Sequence, residues 1–295
     1  MKTVLQIAEQ ALDELGIPVP SSIVDTTDYG QRQINALLRA AAEGFRTQRV
    51  FPQQKKRYSW DVSVADAAAS RYKFPLPEDY FAALPSTQWD EDAQWRLIGP
   101  LSDGEFTDRK VGGDNVTERT AYRIFGPDFN STTGGGQFMV DPIPASGLTL
   151  SFEYVTRTIF LPKFWAASTV FAAGTYCSAS GNIYLTTAGG TTGATIPSHT
   201  TGSASDDVVT WAYVSAPKET ISLDTDLCLF DDDLMVAELK WRYLRAKKKD
   251  YQQEYSDAQT LLMGAVARLE GSHIGSFEGR ARAVRYELPD GSWTF

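Results

Sequence analysis

Between Leu234 and Leu269 apolar residues recur with heptad spacing, and a stripe of that length needs a partner surface of equal length. One row is Leu234, Trp241, Lys248, Tyr255, Leu262 and Leu269; the other is Ala237, Leu244, Tyr251, Ala258 and Ala265, with Lys248 the single polar intruder. A continuous helix over this span would run about 50 Å. Asp231, Asp232 and Asp233 place negative charge where a helix begins, and Gly271 follows as a stop. The spacing therefore predicts one long helix. Its facing surface comes either from the core of a single copy or from neighbouring copies of the chain. In the second case Trp241, Leu244, Tyr251, Tyr255 and Leu262 form the subunit interface.

Two further stripes predict helices near the start. Val4, Ile7, Ala8, Ala11, Leu12 and Leu15 share one face, closed by Gly16, Pro18 and Pro20. A second helix begins at Asp28 and buries Ile34, Leu37, Leu38, Ala41 and Phe45 before Pro52. Both pack on the long C-terminal helix and bring the two halves of the chain into one helical domain. The opening MKTVLQIAEQALDELG carries acidic residues where a targeting segment needs an uninterrupted apolar run.

The middle changes period. Arg57 to Val64, Ser70 to Leu76, Ala121 to Phe125, Gln137 to Val140 and Leu148 to Thr156 alternate or carry strand formers. The run from Ser131 to Gly136 is glycine-rich but lacks the Lys and Ser/Thr of a phosphate-cradling loop, so it predicts a hairpin loop. From 163 to 217 the composition shifts to Thr, Ser, Gly and Ala punctuated by rings. Asn182 to Thr186 and Val208 to Val214 are its main expected strands. The expected fold is α+β: a helical bundle from the N-terminal helices and the long C-terminal helix (1–55 and 219–271), an inserted antiparallel β domain (56–162), a further small β module (163–218) and an extended arm (272–295).

A chain of 295 residues has ample length for a core, and no stretch has the length and apolarity of a membrane span. Its formal charge of −9 opposes non-specific nucleic-acid binding and suits a surface that DNA passes without sticking. Cys177 and Cys228 show no metal-ligand spacing and read as reduced structural thiols. No cofactor or metal site is expected.

The order of these elements carries a resemblance. The phrase Tyr29-Gly30-Gln31-Arg32-Gln33-Ile34-Asn35-Ala36-Leu37-Leu38 and the turn Phe74-Pro75-Leu76-Pro77-Glu78-Asp79-Tyr80 lie in the scaffold. Trp89-Asp90, Ile98-Gly99-Pro100-Leu101-Ser102 and Leu239-Lys240-Trp241-Arg242-Tyr243-Leu244-Arg245-Ala246-Lys247 follow in the same order. This set resembles head-to-tail adaptor (connector) proteins of tailed bacteriophages, over roughly 1–160 and 219–295. The resemblance implies a virion structural protein made in the host cytoplasm and placed at the neck. It implies a homo-oligomeric ring, dodecameric in that family, that binds the portal protein and offers a platform to tail tube or nozzle proteins and tail fibres. A channel for passage of double-stranded DNA is left along the axis, and no enzyme activity is implied.

The spaced Trp, Ile-Tyr, Gly-Gly and Trp-x-Tyr elements of 163–217 resemble small carbohydrate-binding-like modules. Trp165, Tyr184, Trp211 and Tyr213 are then candidates for glycan or partner contact, against the alternative that so small a module buries its own rings. In the arm, Arg280 to Leu288 suits an extended strand. By resemblance Arg280, Arg282, Arg285, Tyr286, Trp293 and Phe295 reach the portal or a neighbouring subunit, the arginines meeting acidic portal surface or DNA phosphate, against the alternative of a frayed terminus. Trp89 and Trp95 flank Asp90, Glu91 and Asp92, either as a subunit contact or as buried rings beside a solvated acidic turn. The carboxylate of Asp79 is expected to accept backbone N–H bonds in its turn.

Two other classes compete with the connector reading. One is a glycan-binding adhesin centred on 163–217. The other is a glycosidase drawing a carboxylate pair from Asp224, Asp226, Asp231, Asp232, Asp233 and Glu238, though their place before a helix explains them as caps. His199 and His273 have no partner base or nucleophile in view. The basic run Arg242, Arg245, Lys247, Lys248 and Lys249, at helical spacing, is most simply a solvated face, with an acidic partner surface or phosphate as the alternative.

Overall fold

The computed structural model describes residues 1–24, 26–48, 51–68, 72–111, 119–126, 136–214 and 218–269. Helix α1 (Val4–Glu14) opens on a capping box: Thr3 Oγ1 accepts from the Gln6 N–H while the Gln6 side chain accepts from the Thr3 N–H. Helix α2 (Tyr29–Gln48) starts where Asp28 accepts from the Gln31 N–H at 3.0 Å. Their apolar faces, including Ile7, Leu12, Leu38 and Phe45, are buried in one cluster.

The chain continues through β1 (Lys55–Asp61), α3 (Val64–Ala68), β2 (Lys73–Pro75), β3 (Tyr80–Ala83), β4 (Trp89–Asp90), β5 (Trp95–Arg96), α4 (Asp103–Val111), β6 (Ala121–Phe125), β7 (Gln137–Asp141), β8 (Thr149–Thr156) and β9 (Phe160–Leu161). Two antiparallel sheets result. In one, β8 pairs with β1 on one edge and with β3 and β4 on the other, and β5 extends it past β4. The other runs β2-β7-β6. They enclose a stack in which Phe138 lies parallel to Tyr122 and to Phe152, with centroids 5.1 and 5.2 Å away. The sequence reading missed α3 and α4. Both open on capping boxes, Ser63 with Asp66 and Ser102 with Glu105, so the Ser-x-x-acid signal was there to read.

The small module holds β10 (Val170–Phe171), β11 (Tyr176–Ala179), β12 (Asn182–Ala188), β13 (Gly190–Thr191), β14 (Ser203–Asp206) and β15 (Val209–Val214). Its main sheet runs β11-β12-β15-β14. Phe171, Cys177, Tyr184, Val209 and Trp211 fill its core. The chain leaves and returns at one place: the N–H groups of Ile159 and Phe160 both donate to the Lys218 carbonyl. Strand β16 (Leu227–Cys228) then pairs with β9.

The last described elements correct the expectation of a single rod. Helix α5 (Asp232–Ala246) ends early, and α6 (Gln252–Leu269) folds back against it. Lys248 takes the left-handed conformation at φ 56°, and the N–H groups of Lys248 and Lys249 donate to the carbonyls of Arg245 and Leu244. That is a Schellman closure. Asp250 then accepts from the Gln252 N–H and caps α6. The stretch Ala246-Lys247-Lys248-Lys249-Asp250 has little apolar surface to hold a continuous rod, and cations at a helix C-terminus favour ending there. Helices α1, α2 and α6 all pack on α5. The protein is thus α+β: N-terminal helices against a C-terminal helical hairpin, with antiparallel sheets inserted between.

Candidate functional site

The heptad residues lie mostly inside this hairpin and its neighbours. Leu234, Trp241, Leu244, Ala258, Leu262 and Ala265 are buried. Trp241 meets Tyr251 at 6.3 Å and Tyr255 at 5.2 Å between ring centroids. Of the five interface candidates Tyr255 alone is exposed, at 41%. The covering surface that periodicity demanded is thus supplied largely by the chain itself, because the helix turns back on its own stripe.

The β4–β5 hairpin presents the aromatic surface that the helices do not. Asp90 sits on its inner side, 7% exposed, and accepts from the Ala93 N–H at 3.0 Å to tighten the turn. Trp89 and Trp95 remain 39% and 42% exposed, so the expected alternative of buried rings fails here, while of the acidic turn Asp90 is buried, Glu91 half-buried and Asp92 solvated. Arg96 and Arg119 hold their guanidinium groups 5.8 and 5.6 Å from the two ring centroids. A hollow of about 430 Å³ beside Trp89 is lined by Arg57, Asp90, Glu91, Ser151 and Glu153.

In the small module the core reading of the rings prevails for two of four candidates. Trp211 and Tyr184 have no exposed surface; Phe171 meets Trp211 edge-on at 5.1 Å, and the Tyr184 hydroxyl donates to the His199 carbonyl at 2.8 Å. Neither can stack on a sugar. Trp165 and Tyr213 are half-buried, and the Trp165 indole N–H donates to Asp206 at 3.3 Å. Phe164, which the sequence reading did not single out as a contact, is exposed at the edge of a larger cleft.

That cleft, about 910 Å³, lies between the module and the larger β domain. Five consecutive residues of β1, Lys55 to Ser59, form one wall and 178–183 another. On its floor Asp79 accepts from Lys56 Nζ at 2.8 Å and from the Tyr154 and Thr156 hydroxyls at 2.7 Å each. These are side-chain donors, not the backbone N–H groups expected; the Asp79 carbonyl instead takes the Arg157 N–H. Burial raises the carboxyl's proton affinity, but the Lys56 charge and these hydrogen bonds outweigh it and hold Asp79 below the ordinary carboxylate value. Burial and the Asp79 charge push the Tyr154 phenol far up. An ionised acid held by a protonated tyrosine and a lysine is a strut between strands, with no proton to exchange near neutral pH.

The carboxylates weighed for glycosidase chemistry are engaged structurally. Asp231 caps α5 through the N–H groups of Asp233 and Leu234, and Asp224 accepts from the Ile23 N–H. Asp226 is fully buried, accepts from the Ser222 and Leu223 N–H groups, and pairs with Lys218 at 3.0 Å. Glu238 pairs with Arg242 at 2.9 Å, Asp232 accepts from the Lys2 N–H, and Asp233 faces Lys2 Nζ at 3.9 Å. Cys177 and Cys228 are buried free thiols, each pushed up to about 12 chiefly by burial.

Among the described residues no group of His, Cys, Asp or Glu is arranged to hold a metal ion, and no helix is long and apolar enough to cross a membrane. The arm candidates Arg280, Arg282, Arg285, Tyr286, Trp293 and Phe295, with His273, Gly271 and positions 131–135 of the glycine-rich run, lie outside the described residues. No family model matches the sequence, and no curated protein matches it.

Proposed function

We propose that the chain is a head-to-tail adaptor of a tailed bacteriophage, a non-enzymatic ring component between portal and tail. The ordered phrases of the sequence support this reading, and the observation that carries it is the exposed pair Trp89 and Trp95 with Arg96 and Arg119 beside them. Trp and Arg dominate the energetic centres of protein interfaces, and two large rings on a rigid hairpin lose little entropy on docking. The subunit contact therefore centres on this hairpin, with exposed Tyr255, Leu261 and Met263 of α6 as a second apolar strip. Isolated chains are monomeric or weakly associated, and contact with the portal drives assembly of the ring. A net charge of −9 keeps DNA moving through the ring.

The test is mass measurement and rotational averaging of the purified chain mixed with its phage's portal, alone and as Trp89→Ser/Trp95→Ser. A closed ring that the double variant fails to form, with its unfolding curve unchanged, is the expected result. A chain that stays monomeric with portal, or a variant that closes rings as well as the parent, overturns it. Removal of 280–295 should abolish portal attachment in the same assay.

A further inference from the structure

Four cations stand together on this acidic chain. Arg245, Lys247, Lys248 and Lys249 are all exposed, and among the described residues none forms an ion pair. In a continuous helix Arg245, Lys248 and Lys249 would share one face and Lys247 would lie on the other side. The Schellman closure at Lys248 ends α5, so the three lysines fall on the α5–α6 turn, with Lys247 as the C-cap. The turn follows Lys240, which pairs with Glu14 at the end of α1. Of the nearby acids Glu238 is paired with Arg242, while Asp250 caps α6, Asp257 accepts from Gln253 and Glu254 lies in the first turn of α6, so among the described residues the four cations outnumber the three unpaired carboxylates beside them.

We propose that the α5–α6 turn is a sequence-independent contact for the phosphate backbone of double-stranded DNA. A protein partner needs an apolar centre to bind stably; between Arg245 and Asp250 the single apolar residue is Ala246, and the exposed Tyr255 lies a turn into α6, outside the basic segment. Exposed charge pairs alone would add little. A polyanion differs, because each phosphate neutralised releases condensed counterions. Lysine is a point charge without the planar fork that reads guanine edges, which suits backbone contact over base recognition. The net −9 does not cancel the patch: at 0.15 M salt, charges beyond about 8 Å are largely screened. This contact needs no ring, so a failure to form rings leaves it standing.

The test is fluorescence anisotropy of a labelled random-sequence 30-base-pair duplex titrated with the full chain between 50 and 200 mM NaCl. The affinity should fall with a log–log salt slope of about −3. Lys247→Gln/Lys249→Gln should weaken binding at least fivefold and flatten the slope by about 2, whereas Lys55→Gln/Lys163→Gln should change neither. Acetylation of the turn lysines, followed by mass spectrometry, should slow when duplex is added. Equal loss in both variants, no loss in the turn variant, tighter binding of single-stranded DNA, or stronger competition by poly-glutamate than by unlabelled duplex would each overturn the proposal; the last would assign the turn to an acidic protein face.

Discussion

Lys248 occupies, at the end of α5, the left-handed position that Gly16 occupies at the end of α1. Their φ angles are 56° and 64°. The closures match bond for bond: Gly16 and Ile17 donate to the carbonyls of Asp13 and Leu12, as Lys248 and Lys249 do to those of Arg245 and Leu244. A lysine in this conformation carries a steric cost that glycine avoids. Lys248→Gly should therefore stabilise the protein by about 1 kcal/mol, seen as a higher urea midpoint. In an uninterrupted helix the same change would destabilise by about 1 kcal/mol, so the sign alone separates hairpin from rod.

Trp241 and Tyr255 meet edge-on across that hairpin, at 82° between ring planes, but they are unequally covered. Trp241 is 7% exposed. Trp241→Ala should cost about 3–5 kcal/mol, and Tyr255→Ala clearly less, in parallel denaturant titrations of the isolated chain. Equal losses would mean that Tyr255 is covered in solution, by a second copy or by the chain itself.

The Asp79 strut makes part of the stability depend on pH. Its folded carboxyl is held below the unfolded value of about 3.8, so the stabilisation is fully present above that value and is lost as the pH falls below it toward the folded one. Asp79→Asn should cost about 2 kcal/mol at pH 7 and progressively less as both proteins are acidified. Unfolding midpoints at pH 7, 4 and 2 measure the convergence. Parallel curves would show that Asp79 acts through shape rather than charge.

The small module should be separable from the scaffold. Its two ends are tied by the hydrogen bonds from Ile159 and Phe160 to Lys218, and its core is its own. Replacing 163–217 with a short Gly/Ser linker should leave cooperative unfolding intact, with the melting temperature shifted by no more than about 6 °C. A molten product would place the module inside the scaffold's folding unit. Trp211→Ala in the full chain should make the module protease-sensitive while the helices stay protected.

Much of the architecture was legible because its signals are local. The stripes of α1 and α2, the caps at Asp28 and Asp231, and β6, β7 and β8 follow from period and end chemistry within a few residues. The stop at Ala246 was less legible. Lys248 breaks the stripe, yet a lysine in the slot that usually takes glycine gives a weak warning. The Asp79 network was illegible in the same way, since Lys56, Tyr154 and Thr156 converge on it from two strands.

By itself the sequence determined which residues share an apolar face and where helix and strand periods alternate, since both depend on near neighbours along the chain. Tertiary structure alone decided what covers each face. It laid Tyr255 on Trp241, sealed Trp211 and Tyr184 inside the module, and left Trp89 and Trp95 outside while burying Asp90. The reason is that burial is a property of two surfaces, and the second is often supplied from far along the chain, as Glu14 reaching Lys240 shows. A period names the face to be covered, and only the packed chain shows what covers it.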